Sequence, residues 1–300
     1  MRIGFDGKRA VQNFTGLGNY SRYVIDILYR FAPENEYVLY APRRRLSRVF
    51  DELLYRCPLL KTIYPEGMWR HFKSLWRAWG MTSRLDKEGI DLFHGLSNEL
   101  PLTIRKARHT RSVVTIHDLI FLRYPEYYQW IDRKIYAYKF RKACEYADLV
   151  IAISECTKRD IISYFHIPEE KIKVVYQGCD VSFTIPATDE KKQEVREKYS
   201  LPEHYILNVG SIEERKNVLL AVKSLLRLPE EMHLVILGRR TAYTDRIDEF
   251  IHAHHLEERV KILNGVPFAD LPAIYQQAKV FVYLKALVFL SLKLFIPVFP

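Results

Sequence analysis

With 300 residues, of which 48% are hydrophobic and 13% aromatic, the chain has room for about two globular domains, which excludes a disordered or fibrous protein. Its four cysteines, Cys57, Cys144, Cys156 and Cys179, lack the spacing of a zinc or redox site and are expected to be reduced thiols. The formal net charge of +10 favours an anionic partner, such as nucleotide phosphate, phospholipid or nucleic acid, without choosing among them.

The first half of the chain alternates between short β-rich runs and helical stretches. It opens on a strand at residues 1–5, with no charged and apolar leader before it, which predicts cytoplasmic residence. Further apolar runs lie at 37–40, 92–94, 112–116, 149–153 and 173–176. This alternation predicts a parallel sheet covered by helices on both faces.

A second series of strands follows a polar stretch at residues 188–200, which is expected to hold a helix near a domain boundary. The strands are predicted at 205–209, 233–237, 260–263 and 280–283, with a helix at about 218–226. The predicted fold class is therefore α/β, with two Rossmann-like doubly wound domains at residues 1–182 and 183–300, the second of them incomplete.

The loop after the first strand contains two glycines, Gly16 and Gly18, ahead of a helix expected at 20–31. Ligands of open α/β sheets bind beyond the carboxyl ends of the strands. Glycines let the backbone approach such a ligand, and the free amides of a helix start attract phosphate. The third glycine of the dinucleotide fingerprint is missing, so a plain turn is the alternative.

Two later loops of the first half carry polar residues. His117 and Asp118 follow the strand at 112–116, where a histidine beside an acid can orient a sugar hydroxyl or a phosphate; the alternative is a pair that caps the loop. Ser154 precedes a helix and is a good N-cap residue, which alone explains its presence.

The most informative loop follows the strand at 205–209. It begins with Gly210, and Arg215 and Lys216 stand at the start of the next helix. Backbone amides and two cations at this point are suited to a diphosphate, whereas a solvated basic turn is the simpler interpretation.

Aromatic and basic residues are interleaved at 69–79, including Trp69, Trp76, Arg77 and Trp79. The pattern predicts an amphipathic helix suited to an anionic lipid surface or a lipid-linked acceptor, although packing against the core fits equally well. Together with the net charge it also suggests a nucleic-acid-binding protein, a less favoured interpretation.

Taken together, these loops resemble glycosyltransferase family 4, retaining enzymes of the GT-B architecture with two Rossmann-like domains. The likeness extends over residues 1–283. It is carried by the order and spacing of the 16–19 loop, the 115–118 and 153–160 runs, the 209–217 loop, Gly238 and the 265–283 block.

The resemblance implies a donor nucleotide sugar held by the second domain and a saccharide or lipid-linked acceptor held mainly by the first. By this likeness Arg215 and Lys216 bind the donor diphosphate, Gly18 lies near the phosphates, His117 faces the transferred sugar and residues around Val266 border the base. The donor sugar is expected to be a hexose of mannose or glucose type.

The same likeness implies that no metal is needed, because paired cations and helix dipoles can stabilise the leaving diphosphate. No cofactor is expected beyond the nucleotide sugar as co-substrate, and no nucleic acid is expected as a partner. A peripheral contact with the cytoplasmic face of an anionic membrane is compatible with it.

The sequence loses this pattern after Tyr283. Residues 284–300 contain no acid and no turn residue before Pro297, although a strand of this kind should lead into a loop and a helix. Permitted codons for these residues, read from the third base of the Leu284 codon, give Glu-Gly-Phe-Gly-Ile-Pro-Ile-Ile-Glu-Ala-Phe-Tyr-Ser-Gly-Val-Pro. That peptide contains the Glu-x7-Glu pattern that family members carry next, which suggests a change of reading frame.

Two alternatives remain for this end of the chain. The first is a true hydrophobic tail or strand, and the second is the change of reading frame. A transmembrane helix there is not expected, since the run is short and carries Lys285 and Lys293. If the frame does change, the chain lacks the donor-site carboxylates and is expected to transfer little or no sugar. It would then act as a non-catalytic remnant or binding module.

Overall fold

The computed structural model describes residues 1–45 and 47–283. The expected change of reading frame falls at 284–300 and lies outside the described residues. By packing, the chain divides into two compact units, Met1–Gly178 and Cys179–Pro300. The domain boundary predicted from the sequence lies a few residues later, between 182 and 183.

The first unit is built on a seven-stranded sheet in the order β3-β2-β1-β4-β5-β6-β7, and every neighbouring pair is parallel. Such a sheet brings the carboxyl ends of all its strands to one edge. The strands are β1 Arg2–Asp6, β2 Glu36–Tyr40, β3 Lys61–Ile63, β4 Leu92–Gly95, β5 Arg111–Ile116, β6 Leu149–Ala152 and β7 Ile172–Val174.

Both faces of this sheet are covered. Alternate residues of β2 enter two different cores, Val38 and Tyr40 one cluster and Tyr37 and Leu39 the other, as the period of a strand requires. The helices of the unit are α1 Lys8–Gln12, α2 Gly16–Phe31, α3 Arg48–Arg56, α4 Lys73–Leu75, α5 Thr82–Lys87, α6 Ile120–Arg123, α7 Trp130–Tyr146 and α8 Glu155–Phe165.

The second unit repeats the plan on a smaller scale. Its described strands form a parallel sheet in the order β10-β9-β8-β11, and alternate residues of β9 again enter two cores, Leu234 and Ile236 one, Val235 and Leu237 the other. The elements are α9 Asp189–Tyr199, β8 Tyr205–Val209, α10 Val218–Ser224, β9 His233–Leu237, α11 Tyr243–Ala253, β10 Val260–Leu263, α12 Leu271–Gln277 and β11 Val280–Phe281.

The predicted α/β fold class, with helices over both faces of parallel sheets, is confirmed. One strand, β3, was not predicted. The stretch at 69–79 is not one regular amphipathic helix, because a 3-10 turn at Gly67–Arg70, the short α4 and a π-turn at Trp76–Gly80 follow one another. Trp76 is buried in the first core, so this part of the stretch packs inward as the alternative interpretation expected.

Candidate functional site

A buried polar chain crosses the carboxyl edge of the first unit. The His94 ring Nε2 lies 2.8 Å from the Thr115 hydroxyl, which lies 3.1 Å from the phenol oxygen of Tyr20. Burial, followed by the nearby charge of His117, lowers the pKa of His94 to about 4. The ring of His94 is therefore neutral at physiological pH, and its contacts are those of a structural hydrogen-bond chain.

His117 is also buried, and both of its ring nitrogens are engaged. Nε2 donates to the carbonyl of Leu96 at 2.9 Å, so Nδ1 is the acceptor and lies 3.1 Å from the side-chain amide of Gln177. Its backbone amide donates to Asn98 Oδ1 at 2.7 Å, and Tyr20 meets its ring edge-on at 4.6 Å between centroids. Burial lowers the pKa of His117 despite its bond to Leu96, which fixes a neutral imidazole with one acceptor nitrogen.

Asp118 does not hydrogen-bond to the ring of its neighbour. Its side chain is exposed and accepts a hydrogen bond, at 3.3 Å, from the amide of Ile120, the first residue of α6. Ser154 acts as the N-cap of α8, accepting from the amide of Thr157 at 3.1 Å, while the Thr157 hydroxyl donates to the carbonyl of His117 at 3.2 Å. Both side chains thus shape the loops that hold His117.

Charged residues gather at the end of β1. Arg77 donates to Asp6 at 2.6 Å and to Glu99 at 2.7 Å, and Lys139 approaches Glu99 at 3.5 Å. Although burial opposes its charge, the two carboxylates raise the pKa of Arg77. Lys8 lies beside this group, and burial, together with the charge of Arg77, lowers the pKa of Lys8. Sequence reasoning missed this cluster, since its members come from distant parts of the chain.

The two glycines of the first loop have different surroundings. Gly16 and Gly18 both lie in the first turn of α2. A Cβ on Gly16 would meet nothing within 4 Å, whereas a Cβ on Gly18 would lie 1.9 Å from the backbone carbonyl of Asn13. The amide of Gly18 donates to Thr15 and to the Asn13 side chain, at 2.9 and 3.1 Å. Gly18 is required for packing, and its amide is already bonded within the protein.

The loop after β8, residues 210–217 and here termed the Gly210 loop, begins with a backbone that favours glycine. Gly210 has φ +136, and a Cβ there would lie 2.5 Å from Lys216 Nζ. A Cβ on Gly238 would lie 1.9 Å from the Gly210 carbonyl, so the loops after β8 and β9 touch backbone to backbone. The amide of Gly210 donates to the carbonyl of Leu237 at 2.8 Å.

Glu213 organises the cations of the Gly210 loop. It bonds Arg215 at 2.7 Å and accepts from the Ser211 hydroxyl, which in turn accepts from Lys216 Nζ at 3.1 Å. Although burial opposes it, the Ser211 hydrogen bond and the charges of Arg215 and Lys216 lower the pKa of Glu213. The structure thus brings Gly210, Arg215 and Lys216 together at the carboxyl end of β8, as the sequence predicted.

Val266 and the residues after it follow β10 in the second unit. Val266 is partly buried against the core that contains Leu207 and Ile274. Close by in sequence, Asp270 is buried and bonds Lys191 and Lys198, each at 2.8 Å. Although burial opposes it, the hydrogen bonds from these lysines and from Tyr199 lower the pKa of Asp270. Asp270 therefore ties α9 to the turn before α12.

The described ranges, 1–45 and 47–283, contain neither a candidate metal site nor a candidate membrane span. No group of three or more His, Cys, Asp or Glu side chains there could hold a metal ion. Nor does that part of the chain contain a helix long and apolar enough to cross a membrane. Its four cysteines are free, with Cys57 and Cys144 buried.

Several residues of the histidine site were not predicted. His94 stands at the carboxyl end of a predicted strand, which is the same signal that drew attention to His117. Tyr20 and Thr115 lay within predicted elements but were not assigned a role. Gln177, which reaches His117 from 60 residues further along, has no local sequence signal at all.

Two family models match the chain. Glycosyltransferase Family 4 matches residues 20–183 and Glycosyl transferases group 1 matches residues 189–286. Together with two parallel α/β units, they define the class as glycosyltransferases of the GT-B architecture. The chain belongs to glycosyltransferase family 4, as the sequence predicted.

Curated relatives agree with this assignment. The chain is 30% identical over 213 residues, 69% of its length, to O-antigen chain mannosyltransferase B of Escherichia coli. It is 25% identical over 57% of its length to O-antigen chain mannosyltransferase RfbU of Salmonella typhimurium. The chain spans about half the length of these relatives, 53% and 44% respectively.

Solved structures show the same fold. Anabaena HepE in complex with UDP and glucose matches with a TM-score of 0.70 and 17% identity, covering 95% of this chain and 74% of that one. Sucrose-phosphate synthase from Thermosynechococcus elongatus matches with a TM-score of 0.71 and 18% identity, covering 94% and 75%.

Proposed function

We propose that the chain is a retaining hexosyltransferase, of mannose or glucose type, that uses a nucleotide-sugar donor. The observation that carries the proposal is the Gly210 loop, where one carboxylate orders two cations at the carboxyl end of a central strand. The mannosyltransferase names of the relatives and the complex of Anabaena HepE with UDP and glucose support it. The proposed acceptor is a polysaccharide or a lipid-linked oligosaccharide at the cytoplasmic face of a membrane.

In this proposal Arg215 and Lys216 bind the donor diphosphate and neutralise the charge that grows on it as the sugar departs. Such stabilisation is strongest when the charges are held in place beforehand, because no reorganisation is then needed during the reaction. Glu213 supplies that order through Arg215 and Ser211. We propose that no metal is required, since these two cations take the role of a divalent ion.

His117 is proposed to contact the transferred sugar as a neutral hydrogen-bonding group. With Nε2 donating to Leu96, only Nδ1 is open to exchange, and it can accept from a sugar hydroxyl in place of Gln177. A histidine with this lowered pKa binds a sugar without carrying a charge to it. Asp118 is proposed to keep the loop in shape through Ile120.

Donor binding tests the proposal directly. The chain is titrated with GDP-mannose and UDP-glucose by calorimetry, and one of them is expected to bind with a Kd tighter than about 1 mM. The double variant R215Q/K216Q is expected to weaken binding at least about tenfold, because each hydrogen bond to a charged group contributes about 1.5–3 kcal/mol.

The matched control is K223Q/R227Q, which removes the same charge near the other end of α10, where both side chains are exposed. An equal loss of affinity in both double variants would assign the effect to net charge and contradict the role of Arg215 and Lys216. Addition of EDTA is expected to leave donor binding unchanged.

Transfer is measured separately from binding. Release of nucleotide diphosphate on addition of an oligosaccharide acceptor, with NMR of the new anomeric linkage, tests activity and retention. A chain that binds donor but transfers nothing would favour the binding-module interpretation. The nucleotide sequence across the codon of Tyr283 then decides whether a shifted frame encodes the missing carboxylates.

A further inference from the structure

The first unit contains a basic cavity of about 880 Å³ that no part of the proposed donor chemistry uses. It runs along β3, the outermost strand of the sheet, and past the carboxyl ends of β2 and β3. Ligands of parallel sheets bind at the carboxyl ends of the strands. The volume of the cavity lies within the range of small-molecule sites. Six cations line this basic cavity: Arg43, Arg44, Lys61, Arg70, Lys73 and Arg84.

The carboxylates of the basic cavity neutralise only part of this charge. Glu88 bonds Lys61 at 2.8 Å, and Glu66 bonds Arg84 at 3.2 Å. The remaining four cations, Arg43, Arg44, Arg70 and Lys73, form no ion pair with any carboxylate among residues 1–45 and 47–283. A concave surface with this excess attracts an anion of more than one charge.

The four cations without an ion pair come from two separate pieces of chain, so their convergence is a property of the fold. Arg43 and Arg44 follow β2, Arg70 ends the 3-10 turn and Lys73 begins α4. Arg44 lies over the ring of Tyr64 at 5.2 Å, which restricts its guanidinium. Planar guanidinium groups bind phosphate oxygens in pairs, which favours phosphate over a single carboxylate as the anion.

The segment that supplies Arg70 and Lys73 also exposes large apolar side chains. Met68, Phe72 and Leu75 are 72%, 51% and 44% exposed, and each lies within two residues of one of these cations. A soluble nucleotide would not contact this apolar surface, and the headgroups of an anionic bilayer would not fill the cavity. A molecule with a phosphorylated head and a hydrocarbon chain can contact both.

We propose that the basic cavity binds the diphosphate of an amphiphilic, lipid-linked acceptor, with its hydrocarbon chain against Met68, Phe72 and Leu75. The inference rests on the proposed function, because it names the acceptor class of that glycosyltransferase. The cations of the cavity hold the phosphates, and the attached saccharide is presented for transfer.

The test is binding of the whole chain to vesicles by sedimentation. Phosphatidylcholine vesicles carry either a polyprenyl diphosphate or phosphatidylglycerol at equal surface charge. The chain is expected to bind the diphosphate vesicles at least about tenfold more tightly, and inorganic pyrophosphate is expected to compete. Equal binding to both vesicles would reduce the cavity to a general basic surface and overturn the proposal.

Two charge-matched variants sharpen this test. R43Q/R70Q removes one cation from each of the two pieces of chain that line the cavity. K106Q/R108Q removes two exposed cations that precede the amino end of β5, three strands away from β2 in the sheet. The first is expected to lose at least about tenfold in affinity for diphosphate vesicles, and the second to stay within about twofold of the parent chain. Equal affinities for the two variants would overturn the proposal.

Nucleotide-sugar titration of the same variants tests the proposed function separately from the proposed acceptor site. If R43Q/R70Q binds donor normally but loses the diphosphate vesicles, both the function and the acceptor site are supported. If no variant or parent binds donor but diphosphate binding still depends on Arg43 and Arg70, the proposed function fails while the cavity stands. Binding of pyrophosphate without any binding of the polyprenyl diphosphate would contradict a lipid-linked acceptor.

Discussion

The ends of β1, β4 and β5 in the first unit and the end of β8 in the second use their polar residues in opposite ways. In the first unit His94, Thr115 and Arg77 are engaged in buried hydrogen bonds and ion pairs. In the second unit the cations of the Gly210 loop are held by one carboxylate, and their side chains remain partly exposed. The same kind of strand end therefore serves as an internal support at β1, β4 and β5 and as an open cationic surface at β8.

Position at a strand end does not by itself make a residue a ligand contact. The position of His117 after a strand predicts a ligand contact, but His117 lies in the buried network with one acceptor nitrogen left for exchange. The position of Arg215 predicts the same, and its side chain is partly exposed. Stability measurements can separate these two situations, since buried polar groups are costly to remove and exposed ones are not.

The largest effect is expected for Arg77→Met. The change leaves Asp6 and Glu99 as buried carboxylates without their cation, and removal of one partner of a buried ion pair costs about 3–5 kcal/mol. Chemical unfolding followed by circular dichroism measures the loss. The control is Arg84→Met, whose partner Glu66 is 66% exposed, and it should cost less than about 1 kcal/mol. Similar losses of stability in both variants would contradict a larger contribution from the buried Arg77 ion pairs.

Gly18→Ala is expected to rank next. Its Cβ would enter the space of the Asn13 carbonyl, a backbone atom that cannot turn away, and overpacking of this kind costs about 1–3 kcal/mol. Gly16→Ala, two residues earlier in the same helix, meets open space and should change the free energy of unfolding by less than about 0.5 kcal/mol. Equal free energies of unfolding for the two variants would contradict a requirement for glycine at position 18.

The pH dependence of stability tests the buried histidine. His94 has a pKa of about 4 in the folded chain and an ordinary value near 6.5 when unfolded, so the unfolded chain binds the extra proton between these values. The contribution of neutral His94 to the free energy of unfolding is therefore nearly complete above about pH 6.5 and falls as the pH drops toward 4. Between pH 7 and pH 5 the loss due to His94 is about 2 kcal/mol.

The comparison variant for this measurement is His94→Gln, which keeps a hydrogen-bonding group near Thr115 but has no proton to gain. It should flatten the decline of the unfolding midpoint between pH 7 and pH 5. His71→Gln, at an exposed histidine of the same unit, should leave the decline unchanged. A His94→Gln chain that loses stability as steeply as the parent would contradict a buried neutral His94.

The smallest effect on stability is expected for Arg215→Gln. Its ion pair with Glu213 joins side chains that are 29% and 31% exposed, and such pairs contribute about 0–1 kcal/mol. Thermal unfolding should therefore change little, even where donor binding is lost. A loss as large as that of Arg77→Met would mean that the Gly210 loop is a structural support like the edge of the first unit.

Most of the fold was predictable because buried parallel strands are written as compact apolar runs. The strands at 205–209, 233–237 and 260–263 have the predicted bounds. β3 was missed since its three residues include a lysine and a threonine and give no apolar run. Three residues are too few for a periodic signal to stand out from the surrounding loop.

The site was predictable only where its members are neighbours in sequence. Gly210, Arg215 and Lys216 belong to one loop, so their spacing already implied that they meet. Arg77 meets Asp6 across 71 residues of sequence, and a local pattern placed it on a basic helix face. What decides the surroundings of such a residue is the order of strands in the sheet, which local spacing does not encode.

The position of β8 within its sheet has a consequence for biosynthesis. β8 carries the Gly210 loop and lies between β9 and β11, so one of its two neighbours is made late. Asn208 at its end bonds the carbonyl of Val282, which leaves the ribosome 74 residues later. Since chains fold as they are synthesised, from the amino terminus onward, the strand that carries the Gly210 loop gains its second neighbour only when β11 has emerged. Residues 1–178 of the first unit have all been synthesised well before that point, so the first unit can fold ahead of the second.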